Sequence, residues 1–203
     1  MPIFYNSALL ILIMQDFKPE VNKCLEVLKN SGVILYPTDT IWGLGCDATN
    51  DAAIEKIYAI KQRHESKSMI VLLDDAGKLV KYVKNVPAVA YDIIELTEKP
   101  LTIIYDGAVN VSKKIISDDG SIAIRITKDT FCRDIIRRMN KPLVSTSANI
   151  SGEPSPANFF EISDEIKSKA DYIVSLRQQE KQNKQPSSII KLSSSGEIKI
   201  IRK

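Results

Sequence analysis

Tyr36-Pro37-Thr38-Asp39-Thr40-Ile41-Trp42-Gly43-Leu44-Gly45-Cys46-Asp47 is the stretch at which this chain departs from a generic folded domain. The apolar run Val33-Ile34-Leu35-Tyr36 enters it as a strand does. Small hydroxyls, a carboxylate and two glycines then follow with neither helical nor alternating spacing. Pro37 removes a backbone donor and fixes its own φ, while Gly43 and Gly45 allow backbone angles or close approaches that a side chain forbids. A loop of this composition either handles a polar ligand or is a Gly-punctuated turn between a strand and a helix, with Trp42 in the core.

Upstream, Val21, Cys24, Leu25 and Leu28 recur at helical spacing after Pro19, and Gly32 stands at the stop, so Pro19 to Ser31 reads as an amphipathic helix. The apolar run Ala8 to Met14 is too short to span a bilayer and lacks a basic flank and a cleavage site. Residues 1–14 are therefore either an edge strand or sequence ahead of a true start at Met14. Downstream, Asp51 is placed to cap a helix on which Ile54, Ile57, Tyr58 and Lys61 share one face. Lys61 either snorkels to solvent or points its charge into a cleft, with Arg63 and Lys67 close behind. Ser68 to Leu73 reads as a strand, Ala76 to Val83 and Ala88 to Leu96 as helices, and Leu101 to Tyr105 as a strand.

In Ser121-Ile122-Ala123-Ile124-Arg125-Ile126 the isoleucines occupy one strand face and Arg125 the other. A cation there requires a bound anion or a buried carboxylate such as Asp129 or Asp134. A helix from Asp129 to Met139 leads to the strand Pro142-Leu143-Val144, which runs into a second hydroxyl cluster, Ser145-Thr146-Ser147-Ala148-Asn149-Ile150-Ser151-Gly152. Two such loops at strand ends are what a ligand crevice in an open α/β sheet requires. A short helix (Ser163 to Ala170), a short strand (Tyr172 to Val174) and a mobile polar linker, 177–187, precede a C-terminal hairpin of Ser188 to Leu192 and Glu197 to Ile201. The whole, 1–203, reads as a single α/β domain.

Composition is that of a soluble globular protein, with 44% apolar and 26% charged residues. The net charge of +3 conceals an asymmetry: Arg177 to Lys203 holds seven Lys or Arg against two Glu. A basic tail suits an anionic partner or is a solvated linker. Cys24, Cys46 and Cys132 have no metal-ligand spacing and are odd in number, which fits a reducing cytoplasm and neither a disulfide framework nor zinc. Neither G-x-x-x-x-G-K-[ST] nor G-x-G-x-x-G is present, and the one histidine, His64, lies among charges and makes a poor triad member. Hydroxyls, an amide and cations remain, a set that positions phosphates and carboxylates.

Five motifs stand in one order: Tyr36-Pro37-Thr38-Asp39-Thr40 with Gly43-Leu44-Gly45; Lys61-x-Arg63; Ile122-Ala123-Ile124-Arg125; Ser145 to Gly152; and Pro186-Ser187-Ser188. In that order and spacing, from about Pro19 onward, the chain resembles the YrdC-like threonylcarbamoyl-adenylate synthases in their short form. The resemblance implies an open twisted mixed sheet with helices around a concave, positively charged cavity. It implies a nucleotidyltransferase that makes threonylcarbamoyl-AMP and pyrophosphate from L-threonine, bicarbonate or CO2, and ATP, with Mg2+ on the phosphates. The product would serve tRNA modification through a downstream threonylcarbamoyl-transferase complex, in the cytoplasm and away from any membrane. By the same resemblance, Thr40, Arg125 and Ser147 hold threonine, and Lys61, Arg63, Lys67, Ser121, Asn149 and Ser187 contact ATP.

Three departures from the family pattern bear on those roles. Trp42 replaces a usual Tyr, the proline after Arg63 is missing, and Glu98-Lys99 precedes Pro100-Leu101-Thr102 where Trp-Pro-Gly is common, so the roles of Lys67 and Thr102 stay open. The rival readings are a double-stranded RNA or tRNA binder of the same fold and a carbamoyl-transfer module. The latter normally sits in a longer, cysteine-rich chain.

Overall fold

The structure, a computed structural model, describes residues 17–62, 69–181 and 184–203. The expected N-terminal edge strand lies outside the described residues. Helix α1 (Lys18–Lys29) carries Pro19 in its first turn, where a missing backbone N–H costs nothing. It leads into β1 (Ile34–Tyr36). The next element corrects the sequence reading: Gly43–Gly45 is a strand, β2, antiparallel to β1 with Leu35 opposite Leu44. Its glycines are there for space, since a Cβ on Gly45 would lie 2.5 Å from the Tyr36 ring and 2.8 Å from the Val144 carbonyl oxygen.

Helix α2 (Asp51–Lys61) is capped by Asn50, whose side chain accepts from Ala53 N at 3.0 Å. Asp51 is the first helical residue instead of the cap, and its carboxylate accepts from the Ser112 hydroxyl. After β3 (Ile70–Leu73), the expected helix at Ala76 is a 3-10 turn, Ala76–Lys81, with Val83 already bridged to Ala108. Asp75 caps that turn two residues on, at Gly77 N, which favours tight winding at its start. There follow α3 (Val89–Leu96), β4 (Leu101–Tyr105), β5 (Ile122–Ile126), α4 (Thr130–Met139), β6 (Leu143–Ser147), α5 (Asp164–Lys169), β7 (Tyr172–Ile173), β8 (Ser188–Leu192) and β9 (Ile198–Arg202).

These strands form one open mixed sheet in the order β7-β1-β2-β6-β3-β5-β4-β8-β9. Alternation sorts its side chains. Leu35, Leu44, Val71, Ile124 and Val144 face a large core closed by α2, α3 and α5. Ile34, Tyr36, Leu72 and Leu143 face a smaller core closed by α1 and α4. On that second face, Ile70, Arg125, Ser145 and Ile189 line a cavity of about 210 Å³. The linker is tied down where it is described: Arg177 pairs with Asp129 at 2.5 Å, and the Lys184 ammonium lies 3.5 Å from the Thr38 carbonyl oxygen.

Candidate active site

The loop from β1 to β2 forms one wall of the cavity, and its shape is set by the Thr38 hydroxyl. That hydroxyl donates its single proton to the Ile41 carbonyl at 2.8 Å and accepts from Thr40 N at 3.0 Å. It also lies 2.9 Å from Thr40 Oγ1, and with its own proton committed, Thr40 must be the donor of that pair. Thr40 therefore offers only lone pairs to a ligand. Trp42 completes this wall, its ring tilted against Phe159 with centroids 4.8 Å apart.

The loop after β6 forms the facing wall. Lys61, at the end of α2, is buried, and its ammonium donates to the carbonyls of Ser147 and of Asn149, the latter at 2.7 Å. Asn149 spends its amide on the Ile150 and Glu153 carbonyls at 3.0 and 2.7 Å. Lys61 and Asn149 thus shape the loop from behind, while Ser145, Thr146 and Ser147 line the cavity.

Arg125 lines the cavity from β5 with its side chain 4% exposed. Its carboxylate partner is neither of the two named from the sequence. Asp129 caps α4 and pairs with Arg177, and Asp134 lies 3.9 Å from Arg138. Asp39 takes the place instead, Oδ1 standing 3.1 Å from Arg125 Nη2. Neither Nε nor Nη2 of Arg125, nor Asp39 Oδ1, has a hydrogen-bond partner among the described residues. Those two nitrogens form one edge of the guanidinium, the two-pronged edge that matches a carboxylate.

The C-terminal hairpin supplies the remaining side. Ser187 Oγ lies 2.8 Å from Thr102 Oγ1, and the Ser187 carbonyl accepts from Arg202 Nε and Nη2 at 3.0 and 2.7 Å. Arg202 also lines the cavity, and desolvation, with the nearby Arg125 charge, pulls its guanidinium below the ordinary value.

Of the residues singled out by sequence, Thr40, Arg125, Ser147 and Ser187 meet around this one cavity. Lys61 and Asn149 lie behind its loop. Ser121 is buried ahead of β5, its backbone N–H on Asp119, and is not part of the lining. Arg63 and Lys67 lie outside the described residues. Sequence reasoning passed over Arg202, Ser155 and the pairing of Asp39. Arg202 carried a usable signal, a cation at the end of a hairpin strand.

A Mg2+ ion would rest on the nucleotide's phosphates and waters. The cavity offers hydroxyl oxygens, its nearest carboxylate already faces Arg125, and no three His, Cys, Asp or Glu converge among the described residues.

Comparison with known proteins gives a consistent result. A curated threonylcarbamoyl-AMP synthase of Psychromonas ingrahamii is 39% identical over 146 residues, 70% of this chain and 75% of that protein. In fold, E. coli YciO superposes with a TM-score of 0.78 over 92% of this chain and 89% of its own, at 23% identity. P. abyssi Sua5 complexed with L-threonine gives 0.76 over 86% of this chain at 22% identity, and the chain spans about half, 51%, of that longer protein. Residues 26–203 match the Sua5/YciO/YrdC family model, described as telomere recombination, and the chain belongs to that family.

Proposed function

We propose that the chain is an L-threonylcarbamoyladenylate synthase, using L-threonine, CO2 from bicarbonate, and ATP to form threonylcarbamoyl-AMP and pyrophosphate. The observation that carries this reading is the buried Nε and Nη2 edge of Arg125, which has no hydrogen-bond partner among the described residues, on a residue that lines a cavity walled by hydroxyls. That edge suits the α-carboxylate of an amino acid, and Thr40, an acceptor, suits its amine or hydroxyl. Arg125 and Arg202 set two cations against the one carboxylate of Asp39, which favours an anionic occupant.

The threonine amine attacks CO2, forming the N–C bond and losing a proton to solvent. A carbamate oxygen then attacks the α-phosphorus of ATP, and the bond to the β-phosphate oxygen breaks, so that pyrophosphate leaves. The first step joins two small reactants and the second two anions, so positioning and charge neutralisation lower the barriers without a protein nucleophile. Ser187 and Arg202 serve the nucleotide, joined by Arg63 and Lys67 by family resemblance, while Lys61 and Asn149 act through the loop they hold and Ser121 stands apart from the lining. The product would feed a threonylcarbamoyl-transferase complex acting on tRNA in the cytoplasm. No described helix is long and apolar enough to cross a membrane.

The test is pyrophosphate release with each standard amino acid in turn. Release is expected only with threonine and bicarbonate together. Serine should be poorer by roughly 10- to 200-fold, the worth of one methyl in a fitted pocket. Production of ADP and phosphate, or threonine-independent turnover, would sink the reading.

A further inference from the structure

The contact between Arg125 and Asp39 is close without being a hydrogen bond. A buried Arg–carboxylate pair ordinarily satisfies itself by parallel N–H···O bonds, because desolvated donors and acceptors left open are costly. Here Oδ1 lies 3.1 Å from Nη2, yet Nε, Nη2 and Oδ1 all stay without a hydrogen-bond partner among the described residues. The loop explains why. Asp39 sits between Thr38 and Thr40, which are locked to each other through hydroxyl and backbone, so the carboxylate is carried to Arg125 by a trace it does not control.

The two groups also face different spaces. Arg125 lines the 210 Å³ cavity, whereas Asp39 lines a second one of about 160 Å³ that includes Glu98, Lys99 and Lys128. Asp39 thus touches the guanidinium at Nη2 without lining the cavity that Arg125 lines. It offsets the charge without hydrogen-bonding either Nε or Nη2.

We propose that Asp39 is a specificity-determining counter-ion, which lowers the attraction of Arg125 for anions in general and so reserves it for a carboxylate whose other groups also engage the hydroxyls around the cavity. The inference rests on the reading of the cavity as an amino-acid site. A site that works among phosphates, pyrophosphate and bicarbonate has need of such a device, since a bare desolvated guanidinium binds all of them.

The experiment uses acetate, a carboxylate with neither amine nor hydroxyl, titrated at constant ionic strength into the wild-type chain, Asp39→Asn and Asp39→Glu. Calorimetry and thermal shift are the readouts. Asp39→Asn keeps the shape and removes the charge, and is expected to bind acetate more tightly by about tenfold or more. Its preference for threonine over acetate should fall. Asp39→Glu keeps the charge and should exclude acetate as the wild type does. Unchanged or weaker acetate affinity in folded Asp39→Asn overturns the proposal, and joint loss of acetate and threonine binding makes Asp39 an orienting residue instead.

Should Asp39→Asn fail to fold in chloride, recovery in acetate at equal ionic strength supports the counter-ion role, and failure to recover overturns it. Acetate binding needs no turnover, so a wild-type chain inactive with threonine would refute the proposed reaction and leave this comparison readable.

Discussion

The Lys61 ammonium lies 2.7 Å from the Asn149 carbonyl oxygen, and the Lys61 carbonyl accepts from Ser151 N at 2.8 Å, so one residue of α2 holds the Ser147 to Ser151 loop from both its ends. Removing the ammonium leaves buried carbonyls unmatched. Lys61→Met is therefore expected to lower stability by about 2–4 kcal/mol and to speed amide exchange in the loop. Urea unfolding with hydrogen exchange checks this. A variant as stable as wild type but poor in ATP use would show that the ammonium acts on phosphates alone.

Gly45→Ala tests the close approach of β2 to its neighbours. The added methyl would meet the Val144 carbonyl at 2.8 Å, and this oxygen also accepts from the Tyr36 hydroxyl at 3.2 Å, so backbone and ring cannot both withdraw. A loss of about 1–3 kcal/mol is expected from such overpacking, read as a lower urea midpoint with an unchanged slope. An unchanged midpoint would mean that the strands part freely here.

These two sites mark how far the sequence could be read. The period-2 pattern Ile122, Ile124, Ile126 placed Arg125 on the correct strand face, because burial of one face enforces alternation. No local signal marked β2, since two glycines in three residues carry no strand preference; its pairing with β1 and β6 is tertiary. Asp39 was hidden as the partner of Arg125 for a similar reason. Proximity in sequence favoured Asp129, but Asp129 accepts from Cys132 N at 2.9 Å as a helix cap, and only the fold brings the β1–β2 loop to β5. The hydroxyl clusters were legible as the walls of one cavity because they follow strands, whereas the burial of Lys61 depended on where the second loop turned.

The cysteines set an alkaline limit. Cys24, Cys46 and Cys132 are free and buried, and burial pushes the Cys24 thiol up to about 12 and the other two in the same direction. Unfolded thiols ionise near 8.5 to 9, so above that pH the unfolded chain loses protons that the folded chain keeps. The stabilising contribution is complete below about pH 9 and fades as pH rises toward about 12. Urea midpoints should fall across that window. At pH 8 the native protein should leave an aromatic disulfide reagent unreacted until denaturant is added. Rapid native reaction of any of the three would contradict the burial.

Arg125→Lys separates charge from geometry at the centre of the cavity. Lysine keeps the positive charge and can still answer Asp39, so the buried carboxylate is not left uncompensated and the fold should survive. An ammonium, however, cannot present the planar edge formed by Nε and Nη2, the two donors that have no partner among the described residues. If that edge receives the threonine carboxylate, the variant should lose threonine affinity by about tenfold or more, the worth of a charge-assisted two-pronged contact. ATP affinity should change far less, since Ser187 and Arg202 on the C-terminal hairpin are untouched. Calorimetric titration of threonine, with ATP as the control ligand, decides the matter. Wild-type threonine affinity in Arg125→Lys would leave Arg125 as the partner of Asp39 and nothing more, and the carboxylate would have to be sought nearer Arg202.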